Sequence, residues 1–400
     1  MDFANRDFLN NHVHSILQFY EPMVIDVDGG FFQNFLDDGG IFDHTSRHLV
    51  SSTRFVFNYA EAYRRGLGEH YLRWAQHGLS FLEHSHQLPS TGHYAWQLGT
   101  YRDETAHAYG HAFVLLAQAK GYKIGETECL AKLNAVDQLL IDQFYESEVG
   151  VFADERSSDL SVLSKYRGQN ANMHLCEAFI AAYEATKNKQ FFIRAQGLAQ
   201  RFAGDFASMA GGLIWEHYHS DWSVDWDYNI DKPDDLFRPW GFQPGHQVEW
   251  AKLLLQLNAI EGNEWYVQRA GELFNRAMEH GWDHEYGGIV YGFTPDGRFA
   301  NDHKYFWVHA EAFAAAFRLY SVTGDSSYLQ WYERIWEFSW EYLVDHSHGA
   351  WFRIRDRRGQ AIDTLKSPMG KADYHTLGAC WDVLDQLQDI NSAERLSSDL

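Results

Sequence analysis

Apolar residues recur at i, i+3, i+4 and i+7 along most of this chain, the spacing of a helix with one buried face. The pattern predicts about twelve helices, near residues 6–20, 50–66, 68–85, 103–121, 125–145, 170–187, 189–206, 245–261, 263–280, 306–323, 326–344 and 373–388. Several neighbours are joined by a short polar or glycine-bearing turn: RRGLGEHY at 64–71, GYKIGETE at 121–128, IEGNEW at 260–265 and SVTGDSSY at 321–328. Turns this short imply antiparallel helix hairpins.

A second punctuation follows alternate helices, glycine and then apolar or aromatic residues. It reads Gly29-Gly30-Phe31-Phe32, Gly92-His93-Tyr94, Gly150-Val151-Phe152, Gly211-Gly212-Leu213-Ile214-Trp215, Gly287-Gly288-Ile289-Val290-Tyr291 and Gly349-Ala350-Trp351-Phe352. Successive copies lie 58 to 76 residues apart, room for two helices and a short β excursion. Six such units use up the chain. Stacked helix pairs leave two bare ends unless the array is capped or closes on itself. The expectation is therefore an all-α fold, a six-hairpin (α/α) barrel with short β excursions in its loops, forming a single domain over 1–400. Such a barrel gathers inner-helix N-termini and the long loops at one end. The loops at 210–244 and 282–305 are the longest, and the first, with its WEHYHSDWSVDWDYN stretch, is expected to wall a cleft.

Composition narrows the function. Lys and Arg number 33 against 55 Asp and Glu, a net charge of −22, so the surface repels nucleic acid and anionic membrane. Aromatic residues reach 16%, more than a core needs, as in clefts that hold flat sugar faces. Cys129, Cys176 and Cys380 are far apart and in no C-x-x-C spacing, which fits a reducing compartment and no disulfide framework. The N-terminus shows no signal-peptide pattern and no 18 apolar residues run together, so the expected location is the cytoplasm. Whether the chain forms a homo-oligomer stays open.

Three histidines sit at the starts of presumed inner helices. Asn170 and His174 are i, i+4 neighbours; His246 and Glu249 are i, i+3, a spacing at which a carboxylate can orient an imidazole; His375 falls in the first turn of the last helix. Closure of the barrel would bring them together. A lone helical histidine is more often a core or surface residue, and their shared placement is what singles these out. A metal is the rival reading, through His107 and His111, His217 and His219, or His346 and His348, yet none of these pairs has a third ligand at a recognised spacing. A glycosidase would need two carboxylates across a cleft, for which Asp225, Asp227, Asp234 and Asp235 are candidates. Nucleophile-elbow, P-loop and dinucleotide-binding motifs are absent.

The repeat, together with RGQNANMHLCEA, FRPWGFQPGHQVEWAKLL, KYFWVHAEAFAA and GKADYHTLG, resembles the N-acylglucosamine 2-epimerase family over nearly the whole chain. The resemblance implies a six-hairpin α/α barrel acting on free sugars. Within the family it is similar to the aldose–ketose isomerase branch, which interconverts unphosphorylated D-mannose and D-fructose, some members also taking lyxose, without metal or nucleotide. Cellobiose 2-epimerases carry tryptophan five residues before the final histidine, where this chain has Gly370. That departure favours the isomerase branch over the 2-epimerases. Matching motifs carry over His375, His246 and Glu249 as catalytic residues. Arg54, Tyr109, Asn170, His174, Arg238 and Trp307 carry over as substrate-binding residues, Trp307 as an aromatic platform. No cofactor and no metal are implied, and the partner is a monosaccharide.

The chemistry matches the residue types. Moving a carbonyl from carbon 1 to carbon 2 passes a proton between those carbons through a cis-enediol, and histidine can both take and give it near neutral pH. His375 is expected to move the carbon-bound proton. His246, held by Glu249, would open the ring and move the oxygen protons, and the reverse assignment stays open. Arg54 or Arg238 would stabilise the enediolate. A non-catalytic sugar-binding barrel is the further alternative.

Overall fold

The computed structural model describes residues 1–21 and 23–398. Among them run twelve long helices: α1 Arg6–Tyr20, α2 Leu49–Arg64, α3 His70–Phe81, α4 Ala108–Lys123, α5 Cys129–Phe144, α6 Gln169–Thr186, α7 Lys189–Ala199, α8 Pro244–Glu261, α9 Glu264–Gly281, α10 Phe306–Thr323, α11 Ser326–Phe338 and α12 Tyr374–Ser398. Even-numbered helices form an inner ring in which α2, α4, α6, α8, α10 and α12 each pack on the next and α12 returns to α2. Odd-numbered helices form the outer ring. Five hairpins run from inner to outer helix, and the sixth joins the chain ends, α12 against α1. The Tyr20 hydroxyl donates to Asp373 at 2.6 Å, and strand Asn34–Leu36 pairs with Leu365–Ser367, so closure is sealed from both termini.

The two rings differ in their residues for a physical reason. An outer helix covers the barrel with one stripe, as α9 does with Tyr266, Ala270, Leu273, Phe274, Ala277 and Met278. An inner helix is surrounded, and α2 buries every residue from Leu49 to Ala62. Outer helices α1, α7, α9 and α11 begin on the side-chain caps Asn5, Asn188, Asn263 and Asp325. Inner α8 and α10 stop at Gly262 and Gly324, both left-handed.

The glycine punctuation is the β excursion. After an outer helix the chain bridges back on itself, Ile25 to Phe31, Gln87 to Tyr94, Tyr145 to Phe152, Trp282 to Ile289 and Val344 to Trp351. Four of the six excursions are tied to an inner helix by the fourth residue of that helix. Backbone N–H groups of Tyr94, Phe152, Ile214 and Ile289 donate to His111, Asn172, Gln247 and His309. These buried polar side chains satisfy strand backbone that would otherwise be orphaned in the core.

Several helix boundaries differ from expectation: α3, α7 and α11 end at Phe81, Ala199 and Phe338, and wider π-helical turns carry the chain on over Leu82–His86, Gln200–Phe206 and Ser339–Leu343. Residues 103–107 are extended, because Ala106–His107 pairs with Glu155–Arg156, and the helix starts at Ala108. The last helix continues to Ser398 instead of ending at 388. No helix among the described residues is long and apolar enough to cross a membrane.

Candidate active site

The N-terminal ends of the inner helices open on a cavity whose empty space, counted out past its mouth into solvent, is about 710 Å3. Arg54, Tyr109, Asn170, His174, His246, Glu249, Trp307 and His375 line it. The repeat explains how they meet. Two positions beyond the tie residues Asn172, Gln247 and His309 stand His174, Glu249 and Glu311, with Arg54 and Phe113 at the same place on α2 and α4. Two positions before His111, Asn172 and His309 stand Tyr109, Asn170 and Trp307. The two sets are four residues apart, one face of each inner helix, and that face looks along the barrel axis.

Each site histidine has its Nδ1 on a carboxylate. His174 Nδ1 lies 3.0 Å from Glu177, His246 Nδ1 2.9 Å from Glu216 and His375 Nδ1 2.7 Å from Glu311. His246 has a second neighbour, Gln169, whose orientation is set by Trp250. Trp250 donates its indole N–H to Gln169 Oε1, which turns the Gln169 amide NH2 toward Glu216 at 2.9 Å. His246 Nδ1 stands 2.9 Å from both Glu216 Oε2 and Gln169 Nε2, so it faces a carboxylate to which it can donate and an amide from which it can accept. Neither His246 Nε2 nor His375 Nε2 has a hydrogen-bond partner among the described residues, and both rings face the cavity. Trp307 lies beside both, its ring centre 5.1 Å from that of His246 and 5.7 Å from that of His375.

The i, i+3 reading of His246 and Glu249 is corrected by this geometry: the carboxylate that orients His246 is Glu216, from the loop after α7. Glu249 points elsewhere, 3.8 Å from His174 Nδ1, with Oε2 buried and unpartnered. Burial, with Glu311 adjacent, raises Glu249 well above the ordinary carboxylate range. Burial also opposes charge on Glu177, but the hydrogen bond and charge of His174, with Lys252 nearby, bring it down to about 2. Burial lowers His375 well below the usual imidazole value, and the positive charge of Arg54 adds to the effect.

Arg54 reaches across the cavity floor. One guanidinium nitrogen donates to the Gly370 carbonyl, and the group lies 4.5 Å over the Phe113 ring and 4.9 Å over Tyr374. Gly370 has φ +88°, and its N–H donates to Ser51 Oγ at 2.8 Å. A left-handed backbone there turns the carbonyl to Arg54 and disfavours any side chain.

Arg238 is not brought into this cavity. It stacks on Tyr166 at 4.0 Å, pairs with Glu155 at 2.7 Å and lines a neighbouring recess that shares Tyr109, Asn170 and Phe237 with the main one. Its loop does form a wall, through Leu236, Phe237 and Pro239. Asp225, Asp227, Asp234 and Asp235 are absent from the cavity lining; Asp225 and Asp235 accept backbone N–H groups of their own loop. The suggested metal pairs are also engaged otherwise, His111 by the ties above and His217 by Tyr166 and the Pro239 carbonyl. One ligand atom each from His174, Glu177 and Glu249, or from Glu249, Glu311 and His375, falls within 4.8 Å of the others. Both imidazoles already commit Nδ1 to a carboxylate. Glu216, Glu311, Phe237, Tyr291, Tyr305 and Arg353 were not found from sequence; Glu311 could have been, as the α10 counterpart of Glu249.

An α/α barrel whose axial end gathers carboxylate-held histidines around one cavity defines a class, and the comparisons agree with it. The family model for N-acylglucosamine 2-epimerase (GlcNAc 2-epimerase) matches residues 30–379, and the chain belongs to that family. It is 48% identical over 388 residues to a D-mannose isomerase from Marinomonas mediterranea, covering 96% of this chain and 98% of that one. A crystal structure of D-mannose isomerase superposes with a TM-score of 0.95 at 47% identity, covering 96% of this chain and 99% of that chain. A cellobiose 2-epimerase from Eubacterium cellulosolvens is 24% identical, over 92% of this chain and 95% of its own length.

Proposed function

We propose that this protein is an aldose–ketose isomerase that interconverts unphosphorylated D-mannose and D-fructose. One observation carries the reading: two imidazoles, each anchored through Nδ1 to a carboxylate from another element, present Nε2 to the same cavity. His375 takes the proton from carbon 2, the electron pair forms the carbon 1–carbon 2 double bond of an enediolate, and a proton is returned to carbon 1 as the carbonyl forms at carbon 2. The Glu311 contact keeps Nδ1–H in place, so the nitrogen facing the sugar is the basic one. His246, held by Glu216, opens the ring and moves the proton between oxygens 1 and 2.

Charge on the enediolate oxygens is stabilised by Arg54 and by the inner-helix N-termini, whose dipoles point positive ends into the cavity. Glu249 is a donor here, not an orienter: burial and the adjacent Glu311 favour its protonated form, and a protonated carboxyl can hydrogen-bond to a sugar oxygen. Asn170, Tyr109 and His174 fix hydroxyls, and Trp307 stacks under the ring. Arg238 acts from the loop over the adjoining recess. The family relationship and the 48% identity to a D-mannose isomerase support this reading over the glycosidase. Three buried free cysteines fit a reducing cytoplasm.

The test is incubation with mannose, chelator present, and a ketose assay. Ketose should accumulate, and dialysis against the chelator should leave the rate unchanged. Sugar binding without ketose would support the non-catalytic barrel, and a rate restored by added zinc would contradict the histidine mechanism.

A further inference from the structure

Beneath the cavity floor lies a buried charged layer with one cation that the mechanism above does not use. Its centre is Lys252 on α8, buried and paired with Glu311 Oε2. The other oxygen of the same carboxylate holds His375 Nδ1. Lys252 does not line the sugar cavity; it faces a second cavity on the far side of the layer, together with Glu177, Glu311 and Tyr374. It reaches the reaction only through Glu311.

We propose that Lys252 is a positioning residue that sets the protonation state of the Glu311–His375 pair and so keeps His375 Nε2 available as a base. The inference rests on the isomerase reading. The physical argument is charge balance in a buried layer. Around Lys252 stand Glu177 and His174 from α6, Glu249 from its own helix, Glu311 from α10, Arg54 from α2, and Tyr374 and His375 from α12. Glu177 is already matched by His174 and by the Tyr374 hydroxyl. Burial and the adjacent Glu311 push Glu249 toward its protonated form, and Arg54 donates to the Gly370 carbonyl. Lys252 is therefore the cation that compensates Glu311.

Remove that cation and the pair must bind a proton more tightly. The proton can sit on Glu311, which then donates to Nδ1 and forces the hydrogen of His375 onto Nε2. It can instead sit on His375 as imidazolium. Either form lacks the Nε2 lone pair, so the active base appears only at higher pH. The sign does not depend on which partner takes the proton. A neighbouring opposite charge of this kind commonly moves a titration by about one to three pH units.

The experiment is kcat against pH for mannose conversion by wild type, Lys252→Gln and Lys252→Arg. In Lys252→Gln the acid limb should move up by about one to three pH units, with KM within about threefold of wild type, because the sugar contacts are untouched. Lys252→Arg should return the limb toward its wild-type position. A folded Lys252→Gln whose limb has not moved overturns the proposal. Nitrogen-15 NMR of histidine-labelled wild type gives a measurement that needs no Lys252 variant to fold, with His375 assigned by its loss in His375→Ala. A neutral His375 bearing Nδ1–H at pH 6 is expected; an imidazolium there contradicts the proposal. Wild type that makes no ketose breaks the isomerase reading instead, and the NMR result still decides the state of the pair.

Discussion

His309 and His375 are both buried histidines near the starts of adjacent inner helices, and they do opposite work. His309 uses both ring nitrogens, Nδ1 on the Tyr305 carbonyl at 2.8 Å and Nε2 accepting from Ile289 N–H at 2.9 Å. His111 repeats that arrangement with the His107 carbonyl and Tyr94 N–H. His375 and His246 use one nitrogen, on a carboxylate, and aim the other into the cavity. Burial alone therefore says nothing about chemistry here. What separates a structural histidine from a reactive one is whether the second nitrogen is already spent.

The strongest way to break this comparison is to remove the half-used rings. His375→Ala and His246→Ala should each lower kcat by a factor on the order of 10² or more, as acid–base groups do, with a melting temperature near that of wild type. A variant that keeps most of its turnover would take that histidine out of the reaction. Next come the carboxylates: Glu216→Gln and Glu311→Gln keep the shape but not the charge, and should lower kcat by roughly tenfold or more while KM changes little. An unchanged kcat would mean the anchors only fill space.

The fully used rings should respond in stability instead. His309→Ala leaves the Ile289 N–H without its partner in the core and should cost about 1–3 kcal/mol in a urea titration, with turnover per folded molecule largely kept. The same two rings predict a pH dependence. Burial lowers His111 and His309 to about 3, against about 6.5 in an unfolded chain. Between those values the unfolded state binds more protons, so stability is complete above about pH 6.5 and falls as pH drops toward 3. Each histidine contributes up to about 1.4 kcal/mol per pH unit in that window. Denaturation midpoints at pH 7, 6 and 5 check it, and the His309→Ala variant should show the shallower slope.

The same contrast explains what was legible in the sequence. Helices, hairpins and the six-fold repeat announce themselves through spacing along the chain, and so do site residues that share one helix face, such as Asn170 with His174. Partners that meet across the barrel do not. Glu216 and His246 are 30 residues apart and come from a loop and a helix, while Glu311 and His375 are 64 apart on neighbouring inner helices. Spacing within one helix offered Glu249 as the orienter because it was the only carboxylate one turn away. Ring closure supplied a nearer one. That Arg238 lines the adjoining recess was not legible for a related reason, since its loop lacks a repeating geometry from which a side-chain direction could be read.

Product identity at carbon 2 tests the central claim most directly. A 2-epimerase must reprotonate that carbon on its opposite face, whereas an isomerase protonates carbon 1. Gly370, with its left-handed backbone and its carbonyl turned to Arg54, offers no aromatic wall against which the intermediate could turn. Wild-type protein given D-mannose and sampled by chromatography at early times should yield fructose as the first and main product, with glucose minor at most. Glucose appearing ahead of fructose would contradict the isomerase account and make the protein a 2-epimerase.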